Sequence, residues 1–291
     1  MVPGSLAVVD ERHGGRDGPG SDVPSAVTGD RSQSFGAVAD AYQCFRPSPP
    51  VAAVDWLLPA RLGRIVDLGS GTGRLTRLLV DRADQVVAID PDQRMRAVLV
   101  REVPAAHAVG GRGESIPLPD ASVDAVLAAT SWHWMDAPAA LREIERVLVP
   151  GGTLGVLSTG ADREGRAVRT ASAVHERGRR VAAGGGRPTG ELSRRMMAEV
   201  LRPVAGLEIP PGAPFEAPEF CEFPWRVALD TEELVGLMGT FSWVLTLPEE
   251  ERATLLEETR SFLAEVRGIT GTQKVEVPFR ARVWRTHRLS S

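Results

Sequence analysis

The stretch "VDLGSGTGRL", residues 66–75, constrains this chain more than any other. Gly69, Gly71 and Gly73 separate an apolar, β-branched run, "RIVDLG", from a segment with Leu75, Leu78 and Leu79 at helical spacing. Glycine at such a turn permits positive φ and lets a ligand approach the backbone closely. A helix after the turn offers unpaired N–H groups. Strand, glycine turn and helix together predict a ligand site at the carboxyl end of the first strand of an open α/β sheet.

The same rhythm continues downstream. "QVVAID", "AAHAVGG", "VDAVLAAT" and "TLGVLST" read as strands, with "PDQRMRAVLVRE" and "ALREIERVLVPGG" as helices between them. That alternation predicts right-handed crossovers and a parallel sheet covered on both faces. Further on, "FEAPEFCEFPWRVALD" and "KVEVPFRARVWRT" read as strands. "TEELVGLMGTFSWVL" and "PEEERATLLEETRSFLAEV" read as helices with acids in their first turns. Two short N-terminal helices, "SQSFGAVADAYQCF" and "VAAVDWLLPA", precede the sheet.

Composition excludes several functions. A net charge of −4 gives no general attraction to nucleic acid or anionic membrane. No apolar run approaches the roughly 20 residues that span a bilayer, and "SLAVV" is too short for a signal peptide core. The two cysteines, Cys44 and Cys221, match no zinc spacing or disulfide framework, so a cytoplasmic location is expected. The five histidines and scattered acids form no metal-ligand pattern, and none is expected.

The glycine spacing is G-x-G-x-G, whereas a dinucleotide site prefers G-x-G-x-x-G. Asp67 stands two residues before the first glycine. A carboxylate there repels a pyrophosphate and suits a ligand carrying an ammonium group. Asp90 ends the second strand, where a carboxylate accepts hydrogen bonds from a ribose diol.

With these motifs the chain resembles the class I S-adenosylmethionine-dependent methyltransferases. It is most similar to the methyltransferase type 11 branch, including trans-aconitate-methyltransferase-like proteins. The pieces that carry the resemblance are "FGAVADAYQCFRP", "VDLGSGTGRLTRLL", "VVAIDPDQRM", "GESIPLPDASVDAVLAATSWHWMD", "LREIERVLVPGGTLGVL" and "FSWVLTLPEEERATLL". The expected fold is therefore α/β: a Rossmann-like, doubly wound, mostly parallel seven-stranded sheet with helices on both faces. N-terminal helices and a helical insertion after the fifth strand complete it. Residues 1–30 read as a disordered tail and 31–291 as one domain. Within it, 32–160 form the cofactor-binding core. Residues 161–214 form an arginine-rich insertion or lid, and 215–291 complete the sheet and acceptor pocket.

The resemblance gives roles to positions. Asp67, Gly69, Gly71 and Gly73 would hold the methionine end of S-adenosyl-L-methionine. Asp90 would take the ribose hydroxyls, and Met95 would pack near the adenine. Arg112, Gly113 and Glu114 fall where the family contacts the adenine edge. Tyr42 and Arg46 fall where N-terminal helices of related proteins close over the cofactor's carboxylate. Plainer readings stand beside these. Met95 is at helical spacing with Val98 and Leu99 and suits a core, Arg46 suits a helix cap, and Glu114 suits a solvated loop. Residues 161–202 hold ten arginines against five acids and fit either a solvated helix face or a lid.

The segment "TSWHWMD", residues 130–136, follows the fourth strand, at the sheet edge that carries the glycine loop. In the family the transferred methyl points toward this loop, which places Thr130 and Ser131 near the cofactor. Trp132, His133 and Trp134 would then line or seal the acceptor pocket. Asp136 precedes a helix and suits capping. His133 has the pKa range of a general base and suits substrate positioning or ring packing equally. The expected activity is methyl transfer to a small-molecule acceptor, an organic acid or natural-product intermediate, leaving S-adenosyl-L-homocysteine. A non-methylating member of the fold is the alternative. A nucleic-acid methyltransferase and an NAD-dependent dehydrogenase fit the residues less well.

Overall fold

Buried apolar runs set the sheet. In the computed structural model, which describes residues 39–58, 60–161, 206–245, 247–267 and 270–290, β1 (Leu62–Leu68) ends in four consecutive buried residues. β2 (Ala83–Asp90) ends in five. Such runs are what a strand covered on both faces requires. β3 (His107–Gly110), β4 (Val123–Ala129) and β5 (Leu148–Ala161) complete a parallel set. β7 (Val275–His287) runs antiparallel to β5, and β6 (Glu219–Leu229) pairs antiparallel to β7. The order is β3-β2-β1-β4-β5-β7-β6, the expected seven-stranded, mostly parallel sheet. The order reverses beside β1, so the carboxyl ends of β1 and β4 border a crevice suited to a ligand.

Helices cover both faces. α1 (Ala39–Phe45) and α2 (Val51–Leu57) come first. α2 buries Ala53, Val54 and Leu57 against Ile65, Leu127 and Val283. On the opposite face α5 (Ala137–Val147) buries Ala140, Leu141, Ile144 and Val147 against Val66, Val126 and Leu154. α4 (Gln93–Glu102) follows β2; Pro91 lies outside it and Asp92 is its N-cap, accepting from the Arg94 amide.

Four local expectations need correction. The helix after the glycine loop is only α3 (Thr76–Leu79), because three left-handed glycines hold the preceding residues in turns and β2 begins at Ala83. Leu148, expected on a helix, starts β5 and pairs with Val123. The segment read as one helix at 231–245 is two, α6 (Thr231–Gly239) and α7 (Ser242–Leu245). At the break the Thr240 hydroxyl and amide both donate to the Leu237 carbonyl, the acceptor the next turn would use. α6 starts from a capping box of Asp230 and Glu233. α8 (Glu249–Arg267) follows. Finally, residues 206–214 were expected in the insertion, yet Leu207 is buried in the main core, with Ile209 and Ala213 packed against it. The tail at 1–30 and the rest of the arginine-rich segment, 162–205, lie outside the described residues.

Candidate active site

The glycine loop is lashed to the second strand. The amides of Gly69 and Ser70 both donate to the Ile89 carbonyl, at 2.8 and 3.0 Å. The Gly73 amide donates to Ser70, and the Gly71 amide to Asp90 Oδ2 at 2.8 Å. All three glycines have positive φ, of 70°, 55° and 89°. Their surroundings differ. A methyl at Gly69 would lie 2.4 Å from Ser131 Cβ, and one at Gly73 would lie 3.0 Å from Leu99 Cγ. Over Gly71 there is open space among the described residues. Close packing therefore dictates Gly69 and Gly73, while Gly71 leaves its face clear for a ligand. The expected cradle of helix N–H groups is not what the loop provides. α3 is a single turn, and these four loop amides are already bonded within the protein.

Two buried carboxyls stand beneath the loop. Asp67 is 1% exposed, and its Oδ2 accepts the Thr76 hydroxyl at 2.6 Å. Its Oδ1 is buried and has no hydrogen-bond partner among the described residues. Burial pushes the Asp67 carboxyl up to about 7, and the nearby Asp90 charge adds to the rise. A buried oxygen without a partner costs about 1–3 kcal/mol. A cationic donor would relieve it and draw the group into its ionised form. Asp90 is also buried, which raises its pKa, opposed by the amides of Asp92 and Gly71 bonded to its two oxygens. A carboxylate has about four lone-pair sites, so two remain for a ligand diol.

The loop after β4 reaches the same edge. Thr130 has φ 56°, a left-handed conformation that is an outlier for a β-branched residue. Its amide donates to Leu157 on β5, and its hydroxyl lies 3.4 Å from that of Thr159. Strain of this kind clusters at functional sites. Ser131, next along, is buried against Gly69 and donates to the Leu68 carbonyl at 2.7 Å. Trp132, His133 and Trp134 form a 3-10 turn. Trp132 is 7% exposed and belongs to the main core, so its expected place in the acceptor pocket is corrected. A 3-10 turn spaces side chains by about 120° and cannot send three successive residues to one side. His133 is exposed and Trp134 half-buried, their ring centroids 4.7 Å apart. Asp136 caps α5, accepting from the Ala139 amide at 2.9 Å.

Known proteins with similar sequences bear on this arrangement. The family model "Methyltransferase domain", of methyltransferase type 11, matches residues 66–156, from β1 into β5. An uncharacterized methyltransferase of Mycobacterium tuberculosis is 36% identical over 250 residues, covering 86% of this chain and 93% of that one. The chain belongs to the class I S-adenosylmethionine-dependent methyltransferases. An uncharacterized methyltransferase-like protein of Schizosaccharomyces pombe is 29% identical over 256 residues, with 86% and 93% covered. A solved structure from Anaeromyxobacter dehalogenans, assigned as a type II methyltransferase, is 25% identical. It covers 85% of this chain and 100% of its own, with a TM-score of 0.55. The trans-aconitate branch is not singled out by these matches.

S-adenosylmethionine is the cofactor of this methyltransferase family, and the residues fit it. Asp67 presents a buried, partnerless oxygen, Gly71 an open face, and Asp90 spare acceptor capacity. The other candidates fall in less direct places. Met95 is buried with Ala39 and Val98, the core reading of its helical spacing. Gly113 is packed against Met135 and Ala140, and Arg112 is exposed. Glu114 Oε1 accepts the Asp136 amide at 2.7 Å, which ties residues 112–114 to the loop after β4. Arg46 donates to the hydroxyl and carbonyl of Thr240, its guanidinium 4.7 Å from the Phe241 ring centroid. The Tyr42 side chain lies outside what the structure describes. Among the described residues no group of three or more His, Cys, Asp or Glu is placed to hold a metal, and no helix is long and apolar enough to cross a membrane.

Sequence reasoning missed Thr76 and Gln43. Gln43 Oε1 accepts the Thr72 hydroxyl at 2.7 Å, and Arg74 donates to the Gln43 carbonyl. Only Thr76 carried a usable signal, as a hydroxyl on the turn that follows the glycines.

Proposed function

We propose that this methyltransferase moves a methyl group from S-adenosyl-L-methionine to a small-molecule acceptor, an organic acid or natural-product intermediate. The observation that carries the reading is the buried Asp67 Oδ1, unpartnered among the described residues, beside the open face of Gly71. When bound, the cofactor supplies a sulfonium methyl that is already activated for displacement. The chain's own task is then alignment and exclusion of water. Asp67 receives the ammonium group and Asp90 the ribose hydroxyls. Thr130 borders the reacting centre. His133 and Trp134 face the acceptor, with His133 orienting it or taking its proton where the nucleophile must lose one. An ionised carboxylate acceptor needs no base. The net charge of −4 favours a small acceptor over nucleic acid. We place the protein in the cytoplasm on its cysteine usage.

The test is isothermal titration with S-adenosylmethionine, S-adenosylhomocysteine and NAD, each alone. Micromolar binding of the first two and none of the third is expected. Binding of NAD alone would overturn the reading. An acceptor screen that follows release of S-adenosylhomocysteine then tests the small-molecule assignment.

A further inference from the structure

α1 touches three separate parts of the molecule. Ala39, at its start, is buried with Met95 and Val98 of α4. Gln43 holds the glycine loop twice: its side chain accepts the Thr72 hydroxyl, and its carbonyl accepts from Arg74. Arg74 also donates to Ser48, just past the helix, at 3.2 Å. At the other end Phe45 and Arg46 meet α6. Arg46 donates to Thr240 Oγ1 at 2.9 Å and to the Thr240 carbonyl at 3.1 Å. Thr240 is 1% exposed.

Phe45 packs closely on Gly236. A methyl at Gly236 would lie 2.5 Å from both Cγ and Cδ1 of the Phe45 ring and 2.6 Å from Cδ2. Gly236 sits inside α6, where glycine costs about 1 kcal/mol relative to alanine. Its φ is not in the left-handed region, so no turn demands it. What demands it is the approach of the Phe45 ring. A helix weakened at the one place where another helix's aromatic ring presses on it is a site kept for the contact rather than for the helix.

We infer that Phe45 and Gly236 are positioning residues for the cofactor site: their contact fixes α1 on α6, and α1 in turn holds the glycine loop through Gln43. The C-terminal helices thereby set the geometry of the loop at the opposite end of the domain sequence. Both residues would act through the loop rather than on the ligand, and the inference rests on the cofactor reading given above.

The experiment is a double-mutant cycle, Gly236→Ala, Phe45→Ala and both together. It is read by calorimetry with S-adenosylhomocysteine and by thermal unfolding without ligand. Helix propensity alone predicts that Gly236→Ala strengthens α6 and leaves affinity unchanged. Positioning predicts that Gly236→Ala weakens S-adenosylhomocysteine binding at least about fivefold, the lower range of coupling between sites. It also predicts that the same change has little effect once Phe45 is alanine, because the colliding ring is gone. Equal effects of Gly236→Ala in both backgrounds, or no effect in either, would overturn the inference. If Gly236→Ala does not fold, Gly236→Ala in the Phe45→Ala background supplies the comparison. That pair must then fold and bind as Phe45→Ala does. Wild-type protein that fails to bind S-adenosylhomocysteine would instead sink the cofactor reading.

Discussion

The Gly71 amide donates to Asp90 Oδ2 at 2.8 Å, and this bond joins the glycine turn after β1 to the last residue of β2. The two proposed halves of the cofactor site are therefore one hydrogen-bonded unit. Asp90 holds the loop shape with the oxygens it would offer a ribose. Its other oxygen accepts the Asp92 amide at 2.9 Å and so also steadies the entry to α4.

Asp90→Ala removes both bonds. Each charge-assisted bond contributes about 1.5–3 kcal/mol. The variant is expected to unfold at lower denaturant and to lose S-adenosylhomocysteine binding. Calorimetry showing unchanged affinity would remove Asp90 from the site.

Gly69→Ala and Gly71→Ala separate packing from ligand approach. At Gly69 the methyl collides with Ser131 Cβ at 2.4 Å as well as straining a positive φ. At Gly71 only the backbone is strained, for about 1–2 kcal/mol. Gly69→Ala is expected to be the less stable of the two in urea. Gly71→Ala is expected to remain folded yet lose ligand binding by blocking the open face. Tight binding by Gly71→Ala would show that the ligand does not approach there.

Asp67 gives a pH signature. Its folded carboxyl is raised by burial from 3.8 to about 7, so the folded state holds a proton that the unfolded chain gives up. That contribution to stability is complete below the ordinary value of 3.8 and is lost as pH rises through about 7. The ligand-free protein should accordingly lose melting temperature across this range, and Asp67→Asn should flatten the loss. Binding of an ammonium-bearing ligand selects the ionised carboxylate, so affinity for S-adenosylhomocysteine should rise with pH through the same window. Parallel pH profiles for wild type and Asp67→Asn would contradict both expectations.

The two tryptophans beside His133 should behave differently. Trp132→Ala opens the main core and is expected to cost about 3–5 kcal/mol of stability. Trp134→Ala, at a half-buried position, should cost much less. His133→Ala should fold and bind S-adenosylhomocysteine as wild type does, with lower turnover once an acceptor is found. Wild-type turnover would make His133 structural.

The central strands β1, β2 and β4 were legible in the sequence because buried β-branched runs have few other uses, and β7 was legible from its alternation. The glycine turn was legible for a related reason, since positive φ at three alternating positions leaves glycine as the favoured residue. The length of α3 was not legible. Leu75, Leu78 and Leu79 keep a helical period whether they sit on a long helix or on turns that end in one. Trp132 was misplaced for the opposite reason. Its neighbours are polar or aromatic, and nothing in "TSWHWMD" says which of three successive rings a 3-10 turn will send inward.

By itself the sequence determined the architecture and the place of the ligand edge. These follow from periodicity, glycine conformation and the order of elements, all of which are local. The tertiary structure alone decided which carboxyl oxygen lacks a partner, which glycine faces open space and which ring presses on Gly236. The last two depend on residues that are distant in sequence, such as Gly69 with Ser131 and Phe45 with Gly236. Contacts of that kind are fixed only when distant elements pack together and exclude water.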